Sequence, residues 1–183
     1  KSGRKNLIIN GGFDVWQRGT SFSNVSTYHA DRWRNNWSPH DVSKQIENNK
    51  PFVRLSHSTA TTPGLIQNIE MDAYTDTFTA SFKARSTVAN KTISIYIRDH
   101  SSVNIQTGSI PNLTTSWQTF TYTFTNITSS NGISLQLYPK LDASGHFDIK
   151  DVQLELGDTA TDFEHRSYGE ELALCQRYYQ EHS

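Results

Sequence analysis

The sequence predicts an all-β sandwich followed by a short C-terminal α-helix. Three observations carry that expectation. From about residue 52 to 157, short runs rich in β-branched and aromatic residues are punctuated by turn residues. Several of those runs alternate apolar and polar positions with a period of two, and after about residue 165 the period becomes helical. At 183 residues the chain is of sandwich size, enough to bury one sizeable core, and reads as a single domain, 1–183.

Seven strands are predicted, taken in order as "FVRLSH" (52–57), "GLIQNIEM" (64–71), "TFTASFKAR" (77–85), "TISIYIRD" (92–99), "WQTFTYTF" (117–124), "ISLQLYP" (133–139) and "FDIKDVQLE" (147–155). Alternation assigns faces. Ala80, Phe82 and Ala84 oppose Ser81, Lys83 and Arg85; Ile93, Ile95 and Ile97 oppose Ser94, Tyr96 and Arg98; Ile133, Leu135 and Leu137 oppose Ser134, Gln136 and Tyr138. The apolar sets turn to the core and the polar-aromatic sets to an outer face. In the last segment, Ser167 followed three residues later by Glu170 is a capping-box signature. Tyr168, Leu172, Cys175 and Tyr179 then recur at helical spacing, widened by Leu174 and Tyr178, so a helix is expected over 168–181. Its apolar residues cover more than one side, more than docking on a sandwich needs, which predicts an oligomer.

Composition excludes several functions. A formal net charge of −1 argues against a nucleic-acid surface. No apolar run approaches bilayer-spanning length, so no membrane insertion is expected, and nothing at the start reads as a signal peptide. The first residue is Lys1 rather than Met, which predicts a fragment or a processed product. The single cysteine, Cys175, precludes an internal disulfide and falls in the helical apolar stripe, a packing position. Nucleophile-elbow, zinc-protease and phosphate-loop motifs are absent, and the seven histidines are scattered. The chain reads as non-enzymatic.

Two groups of residues remain as candidates. Asp14 and Asp151 would converge if the two ends of the sandwich are neighbours, offering hard oxygens to a structural Ca2+ ion. Tyr96, Arg98, Gln136 and Tyr138 share an outer face by alternation, and flat rings with polar edge groups suit a saccharide. Trp33 and Trp117 read as packing residues. Trp37, in the polar loop "RNNWSPH", is the tryptophan expected at the surface.

With these residues identified, a resemblance becomes usable. "NLIINGGFD" and "FDIKDVQLELG" resemble the brackets of carbohydrate-binding modules with the jelly-roll, galactose-binding-like fold, and "TFTASFKARS" and "WQTFTYTFT" resemble that family's middle strands. The resemblance covers 6–157 and implies a jelly-roll β-sandwich there, with 158–183 as linker and helix. It implies that 7–9 form the first strand, that Gly11 and Gly12 permit a sharp turn, and that Phe13 and Trp16 seal the sandwich end. Asp14 and Asp151 match acidic positions of the family's calcium site. A second likeness is narrower: "NGGFDVWQRGTSF", "YHADRWR" and "FEHRSYGEELALCQRYYQ" together resemble a module of bacteriophage and prophage tail fibres and tailspikes. It implies a virion location on the phage tail, a homotrimer through the C-terminal helix, and a bacterial surface glycan as partner. A trimerisation or capping domain without glycan binding, and an accessory module of a polysaccharide-degrading enzyme, are the alternatives.

Overall fold

The computed structural model describes residues 4–25, 27–35, 40–57, 63–69, 71, 74–140 and 145–181, with backbone alone at 25, 57, 74–75 and 178–181. The described strands are β1 Ser21–Val25, β2 His40–Glu47, β3 Lys50–His57, β4 Leu65–Ile69, β5 Tyr74–Ser86, β6 Lys91–Arg98, β7 Asn104–Leu113, β8 Gln118–Ser129, β9 Ile133–Pro139 and β10 Gly145–Leu156, followed by helix α1, Tyr168–Glu181. Two antiparallel sheets, β1-β2-β3-β10-β5-β8 and β4-β9-β6-β7, enclose one apolar core as a jelly-roll β-sandwich. No helix among the described residues is long and apolar enough to cross a membrane.

The alternation read from the sequence places the core. Phe78, Ala80, Phe82 and Ala84 of β5 point inward with Phe147 and Ile149 of β10. Ile93, Ile95 and Ile97 of β6 and Leu135 and Leu137 of β9 meet them from the smaller sheet. Each fully buried Ile, Leu or Phe of this set contributes about 1.5–3 kcal/mol.

Three strands had no sequence expectation. In β2, Val42 turns into the core while Ile46 is largely exposed, so the apolar pattern is broken. In β7, Gly108 and Pro111 argue against a strand, yet both are accommodated. Pro111 and Asn112 fall where the β6–β7 register slips, and Asn112 takes a left-handed φ of 63°, so the proline sits in a bulge. At Gly108 a Cβ would stand 2.2 Å from the Tyr122 ring, which crosses from β8 onto β7.

The opening segment corrects one expectation. Residues 7–9 do not form a strand; they run beside β10 as an irregular segment. Leu7 N–H donates to Leu154 O at 2.9 Å and Val152 N–H to Gly11 O at 2.9 Å. Next to those bonds β10 slips register between Lys150 and Gln153, and Asp151 adopts φ 53°. Asn6 fills the gap: its Nδ2 donates to Val152 O, and its Oδ1 accepts from the N–H groups of Ile8 and Leu154. The glycine pair also acts differently from expectation. Positive φ falls on Asn10 and Phe13, both 57°, whereas Gly11 is required because a Cβ would lie 2.0 Å from Val152 O. Phe13 and Trp16 do seal this end, Phe13 stacked on Trp33 at 5.3 Å.

Helix α1 starts as its cap requires. Ser167 Oγ accepts from Glu170 N–H at 3.2 Å, and Ser167 O from Glu171 N–H at 3.0 Å. Cys175, with Leu172 and Leu174, packs on Ile9 and Val15. Burial, then the charges of Asp31 and Glu171, push the Cys175 thiol up to about 12, so it is a packing group. Arg166 ties the same corner, donating to the carbonyls of Asn6 and Ile8 and pairing with Glu164 and Glu171.

Candidate functional site

The outer face of the four-stranded sheet collects the candidate residues through cross-strand register. Ile66 of β4 stands opposite Gln136 of β9, and Gln136 opposite Tyr96 of β6. Arg98 lies opposite Ser134, and Tyr138 opposite Ser94. Directly opposite residues of an antiparallel pair share a face, so the strand alternation brings Tyr96, Arg98, Gln136 and Tyr138 onto one surface.

The two tyrosine rings meet edge to face, with centroids 5.2 Å apart and planes at 82°. The guanidinium of Arg98 lies 4.4 Å from the Tyr96 centroid and 5.5 Å from that of Tyr138. Arg98 Nε donates to Asn104 Oδ1 at 3.1 Å, which fixes the plane of the fork.

Gln136 differs from expectation. Alternation sends it to the outer face, but it is only 1 % exposed, as is Ser134. It forms the floor under the rings, not an open contact. The polar chain there has one consistent direction. Ser134 Oγ is 3.3 Å from the Arg98 carbonyl, which can only accept, so the hydroxyl donates. Its oxygen therefore receives Gln136 Nε2 at 2.9 Å, which turns Gln136 Oε1 toward Tyr138 and makes the phenol the donor at 2.6 Å. The Tyr138 proton is thus committed inward, and its oxygen presents lone pairs outward. Burial raises the Tyr138 pKa, the neighbouring Tyr96 adds to the rise, and the positive charges of Arg98 and Arg34 oppose it.

Arg34 was missed from the sequence. Its backbone bridges Tyr28 on one side and Ile66 on the other, extending the sheet beyond β4. Arg34 N–H donates to Ile66 O at 3.1 Å and Ile66 N–H to Arg34 O at 2.9 Å. The signal was available in "DRWRNNW": with Trp33 turned into the core, its neighbour must face outward. Trp37 lies outside the described residues.

At the corner where the opening segment meets β10, the charge of Asp151 bears on Asp14. Burial raises the Asp14 pKa first; Glu171 and Asp151 add to the rise, while Lys44 and His165 lower it. Lys44 Nζ donates to the Asp14 carbonyl at 3.3 Å, and Lys83 Nζ is 3.9 Å from the Asp151 carboxylate. Among the described residues no three His, Cys, Asp or Glu side chains gather as a metal-holding group.

No protein-family model matches the chain, and no curated protein sequence matches it. Solved structures do. A carbohydrate-binding module of family 4 superposes with a TM-score of 0.58 at 21% identity, over 81% of this chain and 98% of that one. A family 61 module in complex with β-1,4-galactotriose gives 0.56 at 15%, over 84% and 100%. The enzymatically active domain of tailspike protein 4 from bacteriophage CBA120 gives 0.58 at 14%, over 84% of this chain but 22% of that one. At these identities the likeness establishes the fold, a jelly roll of the carbohydrate-binding-module kind.

Proposed function

We propose that this chain is a non-catalytic glycan-binding module of a phage tail fibre or tailspike, recognising a bacterial surface polysaccharide on the outer face of β4-β9-β6-β7. The observation that carries the reading is the Tyr96–Tyr138 pair, topped by Arg98 and seated on the hydrogen-bonded Gln136–Ser134 floor. Rings held from below keep their orientation without a ligand, which lowers the ordering cost of binding. The jelly-roll fold shared with carbohydrate-binding modules supports the glycan, and the tailspike likeness supports the phage setting.

A glycan array probed with the chain tests this. Binding to a bacterial polysaccharide is expected, weakened in Tyr96→Ala and Tyr138→Ala by about 1–3 kcal/mol, the scale of a lost stacked ring. An array without a bacterial glycan among its hits, or binding unchanged in both variants, removes the reading.

Two further elements belong to the proposal. Three-fold assembly through α1 is supported by Tyr168, which stays 57% exposed while the helix docks through Leu172 and Cys175. Sedimentation as a clean monomer at micromolar concentration would refute it. A structural Ca2+ would be held by the carboxylates of Asp14 and Asp151. Chelation should then lower the melting temperature and added calcium restore it; a transition indifferent to both excludes the ion.

A further inference from the structure

The charges on the candidate face point to a narrower ligand class, an inference that rests on the glycan-binding reading above. Among the described residues at register positions on this face, the charged side chains are Arg34 and Arg98, with Lys140 just past β9 on the phase of Tyr138; none is Asp or Glu. Asp99, the nearest acid along β6, comes one residue later, on the opposite phase of the strand. Its carboxylate is folded back to accept from the N–H groups of Ser101 and Val103.

Carboxylates are the side chains best able to accept paired hydrogen bonds from the vicinal hydroxyls of a neutral sugar. This face holds guanidinium donors instead. Among the described residues, Arg98 is stacked on Tyr96 and hydrogen-bonded to the neutral amide of Asn104, with no acid paired to it. Arg34 contacts a main-chain carbonyl, that of Asn35, at 3.5 Å. Both positive charges bear on the Tyr138 hydroxyl. The backbone of Arg34 stands three strand spacings from that of Tyr96, and Arg98 lies two residues farther along β6, so the two arginine backbones are about 16 Å apart. Arg98 lies over both rings from β6, and Arg34 joins the face from the strip beyond β4. Guanidinium forks match the paired oxygens of carboxylate and phosphate groups.

We infer that the face between Arg34 and Arg98 binds an anionic glycan, one whose sugar units carry oxyanion groups, with the two guanidinium groups holding the anion and the tyrosine pair supporting the sugar ring beside it.

The test compares polymers that differ only in their anions. Polygalacturonate is set against its carboxyl-reduced derivative, and phosphomannan against its dephosphorylated mannan, by affinity electrophoresis or calorimetry. Tenfold or tighter binding of the native member of one pair is expected, and the pair identifies the anion as carboxylate or phosphate. Raising salt from 50 to 500 mM should weaken that binding more than tenfold. Arg34→Gln and Arg98→Gln should each erase the difference between the members while leaving the melting temperature in place. Arg98→Lys, which keeps the charge and loses the fork, should retain part of the difference. Equal, Tyr96-dependent binding of both members overturns the anionic preference and leaves the glycan-binding reading standing. Binding of none of the four polymers overturns the anionic inference; a glycan array on which the chain binds nothing overturns both.

Discussion

The two outer faces of the sandwich use the same residue types to opposite ends. On the six-stranded sheet, Arg54 and Arg85 converge on Asp148, which is wholly buried, through charge-assisted hydrogen bonds of 2.8–3.1 Å. Arg85 also reaches Glu47 at 2.8 Å, and Glu47 accepts from Trp117 Nε1. Trp117 itself is packed edge-on against Phe52 and covered by Arg85 and Lys150, which fits its sequence reading as a packing residue. There the arginines are spent on internal acids. On the four-stranded sheet, among the described residues, Arg34 and Arg98 meet rings, an amide and a carbonyl, and neither pairs with an acid. An arginine beside an aromatic ring therefore says little until its acidic partners are counted.

The sharpest way to break this contrast is Asp148→Ala. It leaves Arg54 without its carboxylate and Arg85 with Glu47 alone, and a loss of about 1.5–3 kcal/mol is expected in chemical denaturation. A loss below about 1 kcal/mol would show that the six-stranded face is no better satisfied than its counterpart.

Acid tests the strip that carries Arg34. His29, packed near Trp16 and Phe22, has its pKa lowered to about 3, first by burial and then by the charge of His40, against an ordinary value of 6.5. Its folded pKa is below the unfolded one, so the unfolded chain takes the proton first. Stability contributed by neutral His29 is complete above about pH 6.5 and is lost as pH falls toward 3. From this group alone the slope is about 1.4 kcal/mol per pH unit between roughly pH 5.5 and 4. Denaturation midpoints across that range should flatten in His29→Gln; an unchanged slope assigns the acid sensitivity elsewhere.

Smaller effects sharpen the comparison. Gln136→Leu keeps the bulk of the floor but takes the acceptor from Tyr138 Oη and leaves Ser134 Oγ with its bond to the Arg98 carbonyl alone, at a cost of about 1–3 kcal/mol. Tyr138→Phe in the same background should recover part of it. Arg98→Gln, having no acid to abandon, should change stability by less than about 0.5 kcal/mol. Arg85→Gln should cost clearly more, and equal costs would erase the distinction between the faces.

Much of this architecture was legible in the residue pattern, because period-two alternation depends only on backbone geometry. It placed Ile93, Ile95 and Ile97 in the core and put Tyr96 and Tyr138 on the same outer surface. The capping box at Ser167 located the helix start. What escaped depends on neighbours distant in sequence. The burial of Gln136 is set by strands on both sides of it, and no property of "ISLQLYP" announces them. Arg34 joined the site through a bridge to Ile66 that lies outside any regular strand. The need for Gly11 comes from a carbonyl 141 positions away, at Val152, rather than from its own φ.

The side chain of Asn6 stands in for a missing rung of the β10 ladder, and Arg166 grips the main-chain carbonyls of Asn6 and Ile8. The amides of Leu154 and Val152 thus owe their protection to residues at the other extremity of the chain. Cleavage between β10 and α1 would unfasten the opening segment along with the helix, and hydrogen exchange at Leu154 would register the release as a single event.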